Sequence, residues 1–256
     1  MRDIAADADR LRALHVPGTP VVLPNAWDAS SAKTIAAAGF DAIATSSSAV
    51  AWALGREDGE NLGTGEMFAA VRRIAEAVEV PVTADIESGY GLDPEGIVAH
   101  LIEAGAAGCN LEDSDPRTGE LVDRERQAAK IASVRSACAA TKVPLVINAR
   151  VDVQLQEAGE REHPFADSVT RANAYREAGA DCVYPIGIKD PAEMERFVRA
   201  TDAPVNIAFR PRGPSLGELA SIGVARVSFG GGLHLAMQAW LTSVAETIRG
   251  GGNPYL

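Results

Sequence analysis

The sequence predicts an α/β protein, a (β/α)8 TIM barrel occupying 1–256 as a single domain. Three observations carry this. Eight short apolar runs alternate with helical patterns, four of the runs follow a helix-ending glycine, and 256 residues suffice for one large α/β domain with a sizeable core. The runner-up is an open doubly wound sheet. No GxGxxG follows the first run and no Walker-type loop is present, which weighs against it.

The runs fall at 21–24, 42–45, 82–85, 108–111, 145–148, 182–185, 205–208 and 227–229. Those in AAGFDAIATS, EAGAAGCNLE, EAGADCVYPI and SIGVARVSFG form a weak internal repeat. Its glycines (Gly39, Gly105, Gly179, Gly223) suit the left-handed position that ends a helix. Three other runs follow a proline: Pro81, Pro144 and Pro204. Apolar residues on both faces are what a parallel strand covered by helices requires. Helical patterns between the runs include 66–77, 94–104, 124–140, 165–178 and 191–200, and a last helix covers about 235–249. Pro94 and Pro191 each follow an Asp and sit where a first-turn proline is tolerated.

Composition narrows the function. The net charge of −11 disfavours binding to a phosphate backbone, so no nucleic-acid partner is expected. No apolar run approaches the ~20 residues of a membrane span, so no membrane partner is expected either. The charged, amphipathic start MRDIAADADRLRALH has no signal-peptide core. Three cysteines (Cys109, Cys138, Cys182) without a CxxC pair favour a reducing cytoplasm.

Barrel chemistry sits at the carboxyl ends of the strands. Those ends carry Asn25, Trp27 and Asp28, then Ser46 to Ser48, then Asp85 and Glu87, then Glu112 and Asp113, then Asn148, Arg150 and Asp152, with Tyr184, Asn206 and Arg210 further on. Asp85 and Glu87 share a face if strand geometry persists past residue 85. Carboxylates converging on a partly buried rim stay ionised only beside a cation. Acids with hydroxyls and amides, and no His/Cys cluster, suit Mg²⁺, with Mn²⁺ as the alternative, over Zn²⁺. Such an ion can stabilise an enolate, while Arg150 clamps a substrate carboxylate. The plainer readings are an Asp that caps a loop, serines that make a turn, and an Arg150 that pairs with Glu112 or Asp152.

PNAWDASSAK (24–33), ATSSSAVAWALGREDGE (44–60), ADIESGYG (84–91), NLEDS (110–114), INARVDV (147–153) and the stretch 205–230 together resemble the isocitrate lyase/phosphoenolpyruvate mutase superfamily, including its phosphonomutase-like members. The resemblance covers nearly the whole chain. It implies a phosphoenolpyruvate/pyruvate-binding barrel, 2-oxo or 2-hydroxy carboxylate substrates, and an enolate with Mg²⁺. It implies Asp85 as the direct metal ligand, with Asp58, Glu87 and Glu112 holding the ion largely through water. It places Ser46, Ser47 and Arg150 on the substrate carboxylate, Asn206 on the far wall, and Trp27 and Asp28 around the pocket. It also implies a homo-oligomer, dimer or tetramer, with a last helix that leaves room for only a modified exchange between subunits.

Two departures stand out. The family usually has Asp where Glu87 stands, and the longer side chain still offers oxygen for a water-mediated role. Isocitrate and methylisocitrate lyases carry a Lys-Lys/Arg-Cys-Gly-His segment after the fourth strand, whereas this chain has EDSDPRTGELVDRE (112–125), with neither Cys nor Lys. The cysteines sit within strands or a helix and cannot replace it. His163, in GEREHPF after the fifth strand, is the remaining candidate acid or base, and Tyr90 is a second proton donor or a packing residue. The expected activity is a Mg²⁺-dependent lyase cleaving a C–C bond of an oxaloacetate-like or alkylmalate/isocitrate-like acid. A P–C bond enzyme (phosphonopyruvate hydrolase or mutase) and a barrel that binds a 2-oxo acid without catalysis are the alternatives.

Overall fold

The computed structural model describes residues 2–156 and 162–255. Eight parallel staves close into a barrel, and the first stave is broken in two. β1 (Val21–Leu23) pairs with β9 (Arg226–Ser228), which pairs with β8 (Asn206–Ala208). β2 (Asn25–Ala26), β3 (Ile43–Thr45), β4 (Val82–Asp85), β5 (Gly108–Glu112), β6 (Val146–Val151) and β7 (Cys182–Pro185) pair in chain order. A parallel bridge between Val183 and Val205 joins the two groups and completes the ring. The break falls at Pro24, which the sequence reading included in one continuous strand. Proline has no N–H to give a ladder, and the chain changes neighbours there, from β9 to β3. Asn25 spans the joint. Its Oδ1 accepts from the N–H groups of Phe229 (2.7 Å) and Gly230 (3.0 Å), and its Nδ2 donates to the Thr45 carbonyl (2.6 Å).

The helices are α1 (Ile4–Ala13), α2 (Ala29–Ala37), α3 (Ser47–Ala53), α4 (Thr64–Glu76), α5 (Pro94–Glu103), α6 (Arg124–Thr141), α7 (Pro164–Glu177), α8 (Pro191–Ala200), α9 (Leu216–Ser221) and α10 (Gly232–Arg249). The caps follow the sequence signals. Asp93 and Asp190 accept from the first turns of α5 and α8, ahead of Pro94 and Pro191. The four repeat glycines have φ between +77° and +107°. Gly108 answers a different need, because a Cβ there would lie 2.5 Å from the Val146 carbonyl oxygen of the neighbouring stave.

The main core lies between barrel and helices. A second apolar cluster fills the amino end of the barrel, where Ala8 and Leu11 of α1 meet Val21, Leu23, Ala42, Ala44, Ala107 and Val146. Just after α1, buried His15 donates Nδ1–H to the Leu11 carbonyl (2.8 Å). Burial first, then the Arg226 charge, push its pKa down to about 4 from 6.5. Between those values the unfolded chain takes up a proton that the folded chain refuses. The His15 contribution to stability is therefore complete above pH 6.5 and is lost as pH falls toward 4. The span corresponds to roughly 3 kcal/mol. On acidification from pH 7 to about 4.5, His15→Gln should lose less stability in urea than the parent; parallel losses would remove His15 from the account.

Candidate active site

Asp85 ends β4 inside the barrel mouth. Its Oδ2 accepts from the Ser47 N–H (3.2 Å) and hydroxyl (3.1 Å), and its Oδ1 accepts from Asn110 Nδ2 (3.3 Å). Its backbone N–H donates to Thr45 Oγ1 (2.9 Å). Ser47 is placed by the start of α3, where Ser46 is the cap and accepts from the Ala49 N–H (3.3 Å). Both serines are thus at the mouth, as the sequence reading expects, but their hydroxyls are engaged within the protein.

The strand stops at Asp85, so period-two alternation does not carry Glu87 to the same face. Glu87 instead adopts φ +50° and turns inward, where it is buried. Its Oε2 accepts from the Glu60 N–H and its Oε1 from the Tyr90 hydroxyl, each at 2.6 Å. Tyr90 therefore spends its proton on Glu87, and burial with that carboxylate holds its own pKa well above the ordinary phenol value. Asp58 lies on the exposed loop that follows α3.

From β5 and β6 come Glu112 and Arg150. Arg150 Nη1 meets Glu112 Oε2 at 2.6 Å, while Nε and Nη2 reach the two oxygens of Asp152 at 2.6 and 2.8 Å. The structural pairing considered from sequence is thus present with both acids. Asp113 lies behind this group, wholly buried. Its Oδ1 accepts the Asp152 N–H (2.8 Å), and its Oδ2 accepts from Arg171 Nη1 (3.0 Å) and the Tyr175 hydroxyl (2.7 Å). The loop after β5 leaves as a narrow turn. Ser114 bridges antiparallel to Leu121, the Val122 N–H returns to the Asp113 carbonyl (2.7 Å), and Arg117 pairs with Asp115 at its exposed tip (2.9 Å).

The acids perturb one another. Burial, then Asp85, raises the Asp58 pKa, with the Ser47 hydroxyl opposing. Burial pushes Glu87 up to about 7, Asp58 and Asp85 add to the rise, and the Tyr90 and Glu60 donors oppose it. Burial also lifts Glu112 well above its usual range against the pull of Arg150, with Asp152, Asp85 and Glu87 adding to the rise. Burial alone would lower Arg150, but Asp152 and Glu112 outweigh it and raise the guanidinium pKa. Asp58, Asp85, Glu87 and Glu112 thus press on each other with one guanidinium among them. An all-oxygen donor set of this kind fits a hard divalent cation. Among the described residues no group of three His, Cys, Asp or Glu side chains could hold an ion together. Such a set fits an ion held by few protein oxygens and completed by water.

Other expected site residues lie apart from this group. Asp28 is exposed and caps α2, accepting from the Ser31 N–H at 2.7 Å in a reciprocal capping box. Trp27 packs edge-on against His234 of α10, with ring centroids 5.0 Å apart. Trp27 and Asp28 line a side pocket with Leu233 and Met237. Asn206 is buried on β8 and bonds Ser228 (3.2 Å). His163 precedes α7 on the exposed surface, with Glu162 as its ionic neighbour at 3.9 Å. It is not joined to the acids, and residues 157–161 of its loop lie outside the described residues. The sequence reading missed Asn110 and Arg226. Arg226 is wholly buried and donates Nη2–H to Asn110 Oδ1 (3.0 Å), which also accepts from Asn148 Nδ2 (2.8 Å). Asn110 was detectable, since it stands two residues before Glu112 on the same strand face.

A closed parallel barrel with ionisable side chains gathered at its mouth is the architecture of a barrel enzyme. The phosphoenolpyruvate phosphomutase family model matches residues 11–249, and the chain belongs to that family, within the isocitrate lyase/phosphoenolpyruvate mutase superfamily of lyases and mutases. The solved structure of a phosphonomutase-like protein from Burkholderia cenocepacia J2315 superposes with a TM-score of 0.90 at 41% identity, covering 95% of this chain and 99% of that one. The 2,3-dimethylmalate lyase of Eubacterium barkeri is 32% identical over 198 residues, 74% of this chain and 66% of the relative. Oxaloacetate decarboxylase 2 of Pseudomonas fluorescens is 28% identical over 220 residues, 82% and 72% of the two chains.

Proposed function

We propose that the protein is a Mg²⁺-dependent lyase that breaks a C–C bond of a 2-oxo or 2-hydroxy carboxylate, oxaloacetate-like or alkylmalate/isocitrate-like, through an enolate. The observation that carries this reading is Asp85, held by three hydrogen bonds from Ser47 and Asn110, beside the Glu112–Arg150 pair, with Asp58 and Glu87 acting on the same group electrostatically. Bound there, Mg²⁺ or Mn²⁺ supplies Lewis-acid stabilisation of developing enolate charge. Arg150 orients the substrate carboxylate. Nη1 and Nη2 each keep one N–H beyond those given to Glu112 and Asp152. The start of α3 at Ser46–Ser47 is the second carboxylate-binding element. Asp58 carries the proton to the enolate carbon, since its loop is open to solvent while partial burial of its carboxyl, with Asp85 beside it, raises its pKa. Decarboxylation needs no specialised acid for a large leaving group, which suits a 112–125 loop without cysteine and a surface-bound His163.

The family model and the phosphonomutase-like neighbour favour P–C chemistry as the second reading. In either case the substrate is a small carboxylate. Homo-oligomerisation, as dimer or tetramer, is supported by α10, where Leu235, Trp240 and Ile248 are 55%, 64% and 55% exposed. A reducing cytoplasm is supported by the three cysteines, all free and buried. No helix among the described residues is long and apolar enough to cross a membrane.

Proton and phosphorus NMR time courses test the reaction. Oxaloacetate, methylisocitrate and phosphonopyruvate are supplied separately, with Mg²⁺ or with EDTA, and Asp85→Ala serves as the control for spontaneous decay. Metal-dependent pyruvate from a carbon substrate, above that control, is the expected result. Phosphate or phosphoenolpyruvate from phosphonopyruvate would overturn the C–C reading in favour of the P–C one.

A further inference from the structure

Two loops at the barrel mouth are closed on each other by a ring of hydrogen bonds. The Glu60 N–H donates to Glu87 Oε2 (2.6 Å), and the Tyr90 hydroxyl donates to Glu87 Oε1 (2.6 Å). The Tyr90 N–H (2.8 Å) and the Ser88 hydroxyl (2.6 Å) both donate to Glu60 Oε1. Lys130 of α6 reaches the same turn and donates to the Ser88 carbonyl. Each loop thus holds a carboxylate of the other: the first holds Glu87 through the Glu60 N–H, and the second holds Glu60 through the Tyr90 N–H and the Ser88 hydroxyl, while the Tyr90 hydroxyl secures Glu87 within its own loop.

The ring coincides with unusual backbone. Among the described residues, four non-glycine residues have left-handed φ: Glu60 (59°), Glu87 (50°), Tyr90 (55°) and Lys142 (58°). Lys142 ends α6, an ordinary place for that conformation. The other three are the members of the ring. Side-chain-bearing residues enter this region at a cost, and they persist there when their surroundings over-determine them. Glycines at 59, 89 and 91 leave the flanking chain free to turn. The cost falls beside the acids of the mouth: Asp58 stands two residues before Glu60 in one loop, and Glu87 two residues after Asp85 in the other.

We propose that Glu60 is a positioning residue whose carboxylate, through this ring, fixes Glu87 and the Asp58 loop around the metal seat and thereby sets divalent-cation affinity. The inference rests on the metal-dependent reading above. Glu60 acts through its acceptor oxygen, so an amide at that position should serve as well as the acid. Hydrogen-bond partners of metal-site groups commonly change metal affinity by about 10-fold or more when removed.

The test is Mn²⁺ binding to the full chain without substrate, followed by electron paramagnetic resonance of free Mn²⁺. Glu60→Ala should weaken binding about 10-fold, Glu60→Gln should restore it, and Tyr90→Phe should weaken it from the other side of the ring. The double variant Glu60→Ala/Tyr90→Phe should be no weaker than the weaker single one, since both open the same ring. Unchanged affinity in Glu60→Ala, or no rescue by Glu60→Gln, overturns the proposal while leaving the metal reading standing. Parent protein that binds no more Mn²⁺ than Asp85→Ala overturns both. Should Glu60→Ala not fold, Tyr90→Phe, which removes one hydroxyl, decides in its place.

Discussion

Asp85→Ala should abolish metal-dependent turnover, lowering kcat/KM by about 10³-fold or more, equivalent to roughly 4 kcal/mol of transition-state stabilisation. The fold should survive. Ser47 and Asn110 lose an acceptor, which costs stability. The same change removes a negative charge that now raises the pKa of Asp58, Glu87 and Glu112, which offsets part of that cost. Two measurements check this: steady-state kinetics across a Mg²⁺ titration, and a carbon-13 NMR titration of the glutamates. Glu87 should titrate below its parent value of about 7, because a like charge beside it has gone. Retained turnover, or turnover indifferent to EDTA, would remove Asp85 from its assigned role.

The largest loss of stability is expected at Asp113→Ala, about 3–5 kcal/mol. Asp113 is wholly buried and serves three donors: Arg171, Tyr175 and the Asp152 N–H. Removing it leaves the Arg171 cation, itself 5% exposed, with the partly exposed Asp167 at 3.4 Å in place of its buried acid. A buried charge that loses its closest buried partner costs far more than a lost surface pair. Replacing Arg171 with Met in the same chain should recover part of the loss, as both charges are then gone. Urea unfolding of the two single variants and the double variant checks the cycle. A loss under about 1 kcal/mol at Asp113→Ala would show the pair to be as weak as an exposed one. Asp113 also holds the backbone of Asp152, which grips Arg150, so surviving activity should fall with it.

The barrel was legible because its signals are local. A glycine that ends a helix and an apolar run that follows it recur through the chain, and the structure places a strand at each. The break at Pro24 was less visible, because a proline inside an apolar run changes which neighbour the stave meets, and neighbours are not written in local sequence. The carboxyl ends of the strands gave Asp85, Glu112 and Arg150 directly. Glu87 reached the site by another route, a left-handed turn in place of an extended strand. Asp28 and His163 drew attention through residue type and chain position, yet a helix cap and an exposed helix edge satisfy them. Arg226 gave no usable signal, because an arginine in a short strand reads as an edge residue until the barrel closes around it. Its burial beneath Asn110 depends on the ring being complete.

The turn after β5 bears on how such an enzyme can diversify. Its two ends are fastened at Asp113 and Val122, to each other and to Arg171 of α7. The tip between them touches the barrel lightly, with Gln156 donating to the Gly119 carbonyl (3.3 Å) and Arg117 turned onto its own Asp115. A segment clamped at its base and light at its tip behaves as an interchangeable cassette. Lineages can rewrite residues 115–120, or a designer can graft a foreign stretch there, while Glu112 and Arg150 stay in register beneath it.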